Sequence, residues 1–75
     1  MSQMTMDTAK QVLRRIGDAI VETVREAGTE GAPASAVYMA LEEQGATFAD
    51  FELFVRALVA AGRLRRTSEL LFAVE

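Results

Sequence analysis

Seventy-five residues make one domain and are too few for two. The chain has neither cysteine nor histidine, which excludes disulfides and thiolate or imidazole metal sites. A hydrophobic fraction of 51% with a net charge of −3 argues against disorder. In so small a chain it favours a dense core or a buried interface. No apolar stretch approaches the roughly 20 residues that span a bilayer. The opening Met-Ser-Gln-Met-Thr-Met has no basic or apolar segment of the secretory kind. A cytoplasmic protein is therefore expected. Residues 1–6, with Met1, Met4 and Met6, are read as a flexible leader, and 7–75 as a single domain.

The first helix is predicted over 7–27. On a wheel of 100° per residue, Val12, Leu13, Ile16, Ile20, Thr23, Val24 and Ala27 fall within about 120°, a core-facing stripe. Arg14, Arg15, Asp18, Glu22, Arg25 and Glu26 fill the opposite side. Thr5 or Asp7 can cap its start, and Gly28 ends it. Gly17 sits in mid-helix, at a cost of about 1 kcal/mol relative to alanine. Close approach by another element would explain it; so would tolerated drift.

Thr29–Pro33 reads as an extended linker with room for two or three residues of strand. A second helix is predicted over 34–44. Either Pro33 opens it or Ser35 caps it one turn later. Val37, Tyr38, Ala40 and Leu41 form its apolar side, and Gly45 ends it. Thr47 caps a third helix over 48–61, with Phe48, Phe51, Phe54, Val55, Leu58 and Val59 on one face. Gly62 ends that helix.

The period then changes from 3.6 to two. Leu64 and Arg66, then Leu70, Phe72 and Val74, flank the polar break Thr67-Ser68-Glu69. This predicts a β-hairpin with strands at about 63–67 and 70–74. The expected core is Ile16, Ile20, Val24, Val37, Leu41, Phe51, Val55, Leu58, Leu64 and Phe72.

Four stretches occur in order: Gly31-Ala-Pro-Ala-Ser-Ala-Val-Tyr-Met-Ala-Leu41, Gly45-Ala-Thr-Phe48, Leu58-Val-Ala-Ala-Gly62-Arg-Leu64-Arg-Arg, and Leu70-Leu-Phe-Ala-Val74. In this order the chain resembles the winged helix-turn-helix family from Asp7 onward. The resemblance implies a mainly α domain of three helices with a small β-hairpin as the wing. It assigns no function by itself, since members include DNA binders and domains that mediate only protein contacts.

Catalysis finds no support in the residues. No carboxylate stands in a context that suggests burial or pairing, and no glycine loop suits a phosphate. Neither cofactor nor small-molecule substrate is expected.

Nucleic-acid binding requires lysine or arginine on the docking face. From Gly28 to Phe54 the chain carries Glu30, Glu42, Glu43, Asp50 and Glu52 and no basic residue. The net charge of −5 falls on the unit that would enter a major groove. Arg56, Arg63, Arg65 and Arg66 form the one basic cluster near it, and a DNA contact through the wing is the alternative reading. Those arginines also serve to solvate a strand edge.

The outward face of helix three carries Ala49, Glu52, Leu53, Arg56, Ala57 and Ala60. It is low and partly apolar, with few groups for base edges. Ala49, Leu53, Arg56, Ala57 and Ala60 are therefore the candidate protein interface. The expected partners are a second copy, in a homodimer, and an unidentified protein. The seam lies either on this face or on helix one around Gly17 and Val21.

Overall fold

A computed structural model describes residues 6–74, with side chains from Lys10 onward. It is mainly helical, with a small antiparallel sheet of three strands. Helix α1 spans Met6–Glu26. A 3-10 turn at Gly28–Glu30 leads to strand β1, Ala32–Pro33. Helices α2, Ala34–Glu42, and α3, Phe48–Ala60, follow. Strands β2, Leu64–Arg66, and β3, Leu70–Ala73, close the domain. Of the expected leader, Met6 opens α1, and residues 1–5 lie outside the described residues, Thr5 with them. Asp7 lies inside α1 and so does not precede it as a cap.

The predicted helices and hairpin strands form within one or two residues of their expected ends, but the linker expected to be extended over 29–33 begins in the 3-10 turn, and only Ala32–Pro33 is strand. The capping differs in detail. Thr47 caps α3 as expected, and does so reciprocally. Its Oγ1 accepts from the Asp50 amide, and Asp50 Oδ2 accepts from the Thr47 amide, both at 3.1 Å. At α2 neither expected device operates. Pro33 is the residue before the helix, extended at φ −59° and ψ 128°, with no side-chain cap. The Ala34 amide donates instead to the carbonyl of Glu69, at 2.9 Å. The start of α2 is thus tied to the hairpin turn, and an otherwise unpaired helix N–H is satisfied there.

The sheet has the order β1-β3-β2, so β3 is central. Ala32 pairs with Leu71, and Leu64, Arg65 and Arg66 pair with Ala73, Phe72 and Leu71. Thr67 holds the turn: its amide donates to the Leu70 carbonyl at 2.9 Å, and its Oγ1 accepts from the Leu70 amide at 3.1 Å.

This register corrects the expected inward face of β3. Leu71 is fully buried, and Phe72 is only half-buried. Because side chains alternate along a strand, Leu64, Arg66, Leu71 and Ala73 share the inner face. Arg65 and Phe72 pair directly across the outer one, with the guanidinium 4.8 Å from the ring centroid.

The core comprises Ile20, Val21, Val24, Ala32, Val37, Phe51, Val55, Leu58, Leu64 and Leu71. Ile16 and Leu41 pack against it half-buried. Two further expectations fail at the edges of this core. On α1 the buried arc is rotated toward Gly17 and Val21, leaving Val12, Thr23 and Ala27 exposed. On α3 only Phe51 of the three phenylalanines is buried; Phe54 is half-buried and Phe48 exposed. Phe48 opens α3 and sits at the corner with α2, where it meets the Tyr38 ring edge-on at 5.3 Å.

Candidate functional site: an apolar groove between the first and third helices

Helix α1 is too long for the body it covers. Its 21 residues reach about 31 Å, whereas the 13 residues of α3 reach about 20 Å at 1.5 Å per residue. The molecule measures 45 × 24 × 19 Å. Among the residues of α1 whose side chains are described, the buried ones, Gly17, Ile20, Val21 and Val24, lie in its second half, and residues 10–15 are all exposed.

The apolar stripe does not stop where the cover stops. Leu13 lies within about 20° of both Ile20 and Val24 on the wheel, yet it is 53% exposed. Across from it, Leu53 of α3 is 63% exposed. Between them runs an open groove of about 440 Å³, lined by Leu13, Gly17, Leu53, Phe54, Ala57 and Leu58. Its walls are almost wholly apolar, and its charged members are Arg14, Asp50 and Arg63. Arg63 is held by Asp18 of α1 at 2.8 Å.

All five residues expected at a protein interface are exposed on the outer face of α3. Leu53 and Ala57 line the groove; Ala49, Arg56 and Ala60 do not. Of the alternative seam around Gly17 and Val21, Gly17 lines the groove on the α1 side, against Leu58, where a Cβ would sit 3.5 Å from its Cδ2, whereas Val21 lies in the core. The sequence reading missed Leu13, Arg14, Asp50 and Phe54 as lining residues, because the wheel assigns Leu13 to a core that ends before reaching it. The length of α1 against α3 carried that signal.

Three of the four arginines expected to meet nucleic acid are engaged within the chain. Arg66 donates to Glu52 of α3 at 2.8 Å. Arg63 pairs with Asp18, and Arg65 stacks on Phe72. Arg56 is exposed on α3 with no ion pair to a described residue. The five carboxylates at Glu30, Glu42, Glu43, Asp50 and Glu52 remain along the turn-helix unit, all exposed except the half-buried Glu52.

Tyr38 of α2 is half-buried beside α3. Its hydroxyl donates to Glu42 Oε2 at 3.0 Å. That bond favours the protonated phenol, and partial burial and the Glu42 charge act in the same direction, so its pKa is raised. Among the described residues no group of three or more Asp, Glu, His or Cys side chains converges as a metal site would require. No described helix is long and apolar enough to cross a membrane.

Comparison with known proteins returns no match: no family model, no curated protein and no solved structure is found to be similar to this chain.

Proposed function

We propose that this chain is a non-catalytic winged-helix interaction module that acts as an accessory or regulatory protein through protein contacts. The observation that carries this reading is the groove between α1 and α3, with its two exposed leucines, Leu13 and Leu53, facing one gap. Contiguous apolar surface rimmed by polar groups marks an interaction site, and a groove between helices suits an apolar side chain from another helix. The winged-helix assignment is supported by the element order and by a hairpin that follows α3 directly.

The competing reading is a DNA-binding regulator that uses Arg56, Arg63, Arg65 and Arg66. Two of those four charges are neutralised by carboxylates of the same chain, and a third lies on an aromatic ring. With the Arg66–Glu52 pair set aside, the turn-helix unit still carries four carboxylates, Glu30, Glu42, Glu43 and Asp50, and no basic residue. Phosphate contact is mainly electrostatic, so this distribution favours a protein partner.

A photo-reactive residue placed at Leu53 tests the reading inside the producing cell. Adducts to a protein chain, lost when Ala57→Asp is added, are the expected result. A fold-preserving variant that yields no protein adduct from position 53 contradicts it.

A further inference from the structure

Among the described residues, Phe48 is the aromatic side chain that stands most in water, at 56% exposure. It opens α3 and lies against Tyr38 of α2, with ring centroids 5.3 Å apart and planes at 85°. The buried Phe51 packs beside both rings, at 5.5 Å from Tyr38 and 6.2 Å from Phe48, and so anchors the pair to the core. The Tyr38 hydroxyl donates to Glu42 Oε2 at 3.0 Å. One tyrosine thus touches an exposed ring and an exposed carboxylate.

The charge of this corner has one sign. From Gly28 to Phe54 the chain has no lysine or arginine. Glu42 and Glu43 stand at the end of α2, whose last turn holds no basic residue. The free carbonyls of a helix C-terminus add partial negative charge there. The positive end of α3 is already capped by Thr47 and the Asp50 carboxylate. The arginines of the hairpin are held elsewhere: Arg66 by Glu52, Arg63 by Asp18, and Arg65 over Phe72. Two carboxylates at a helix C-terminus oppose its dipole, and a cation from outside the chain relieves that repulsion.

The same features select the cation. An aromatic face attracts a positive charge through its quadrupole. A guanidinium can stack on a ring and still donate to a carboxylate, because its donors lie in its own plane. The chain makes the stacked half of this contact internally, with Arg65 4.8 Å from the Phe72 centroid. A phosphate backbone is repelled by the carboxylates. An uncharged apolar partner would cover Glu42 without offering it a counter-charge, which is costly.

We propose that Phe48, Tyr38 and Glu42 form a docking point for an arginine side chain on a basic segment of a partner protein. None of the three lines the groove between α1 and α3, so this is a second contact surface, independent of the first.

The probe is a dye-labelled peptide of alternating arginine and serine, with matched peptides that carry lysine or glutamine in place of arginine. Fluorescence anisotropy follows their binding to the full-length protein at about 50 and 150 mM salt, two strengths of screening. The arginine peptide is expected to bind saturably below about 1 mM, as a modest contact does, and less tightly at the higher salt. The lysine peptide is expected to bind more weakly, and the glutamine peptide not at all. Phe48→Leu keeps apolar bulk without the ring, and Glu42→Gln keeps an acceptor for Tyr38 without the charge. Each is expected to weaken binding about two- to five-fold, the range of an exposed cation–π contact or ion pair. Glu69→Gln makes the same change of net charge on the exposed hairpin turn and is expected to leave binding unchanged. Far-ultraviolet circular dichroism is expected to be the same for all three variants.

The proposal is overturned if the arginine peptide does not saturate, or if the lysine or glutamine peptide binds as tightly. It is equally overturned if Phe48→Leu binds like the wild type, or if Glu42→Gln and Glu69→Gln weaken binding alike, since either result reduces the contact to diffuse attraction. Adducts formed from position 53 report on the groove separately, so failure here leaves that reading standing.

Discussion

Arg66 Nη1 lies 2.8 Å from Glu52 Oε2, joining the last residue of β2 to the middle of α3. The pairing follows from register. Arg66 shares the inner face of the sheet with Leu64 and Leu71, so its long side chain runs over the core and reaches the helix that covers it. Both side chains are about one-third exposed, which makes this the most enclosed of the ion pairs among the described residues. A hairpin arginine that would otherwise be free for a phosphate is here an internal tie.

A double-mutant cycle on Arg66→Ala and Glu52→Ala measures that tie. The expected coupling is below about 1 kcal/mol, as for partly exposed pairs, and falls as salt is raised. Chemical denaturation at low and high salt gives the value. A coupling of zero at low salt would show that the contact does not persist in solution.

Leu71 and Phe72 test the strand register. Leu71→Ala removes a fully buried side chain and is expected to destabilise the domain by roughly 2–5 kcal/mol. Phe72→Ala gives up a half-buried ring and its contact with Arg65, for about 1–2 kcal/mol. The reverse order in urea unfolding would place Phe72 inward and shift β3 by one residue.

Gly17 and Gly31 are expected to respond to an added methyl group with opposite signs. At Gly17 an added Cβ meets Leu58 Cδ2 at 3.5 Å, an ordinary contact. Gly17→Ala is therefore expected to stabilise α1 by up to about 1 kcal/mol through helix propensity. Gly31 has φ +83°, and a Cβ there would lie 2.6 Å from the Phe72 ring and 3.1 Å from the Leu71 carbonyl. Gly31→Ala is expected to lower stability by more than about 1 kcal/mol. Thermal melts of the two variants give the signs directly.

Tyr38 is the sole tyrosine, in a chain without tryptophan, so its absorbance titration has one owner. The midpoint is expected above the ordinary value near 10, because its hydroxyl donates to Glu42. Glu42→Gln is expected to bring the midpoint back toward that value. With the folded pKa raised above the unfolded one, the stabilisation is complete below the unfolded pKa. It is lost as pH rises through the folded pKa. A titration unchanged by Glu42→Gln would contradict the hydrogen bond.

The fold was largely legible because its signals are local. Gly45 and Thr47 punctuate the turn before α3, and the change of period after Gly62 marks the hairpin. The register of β3 was not legible. In Leu70-Leu-Phe-Ala-Val74 every residue is apolar, so alternation alone cannot say which set faces inward. Pairing with Ala32 and Leu64 decides it. On α1 the stripe gave the correct side for Ile20 and Val24 but not its limit, because the wheel contains no information about where α3 begins. The groove exists at that limit. For the same reason the outward residues Leu53 and Ala57 are legible in the sequence, while their neighbours Leu13 and Phe54 read only as members of the apolar faces of α1 and α3.

The most direct test of the account is a residue-resolved chemical-shift map of one isotope-labelled sample, first diluted and then titrated with a random-sequence duplex at about 150 mM salt, where screening acts over roughly 8 Å. Protein contact through the groove predicts that the duplex leaves the Arg63–Arg66 amides in place, and self-association there predicts in addition that dilution moves the resonances of Leu13, Leu53 and Ala57. Dilution without effect at the groove, together with saturable duplex-induced shifts at Arg63, Arg65 and Arg66, would contradict it and establish the wing as a nucleic-acid surface.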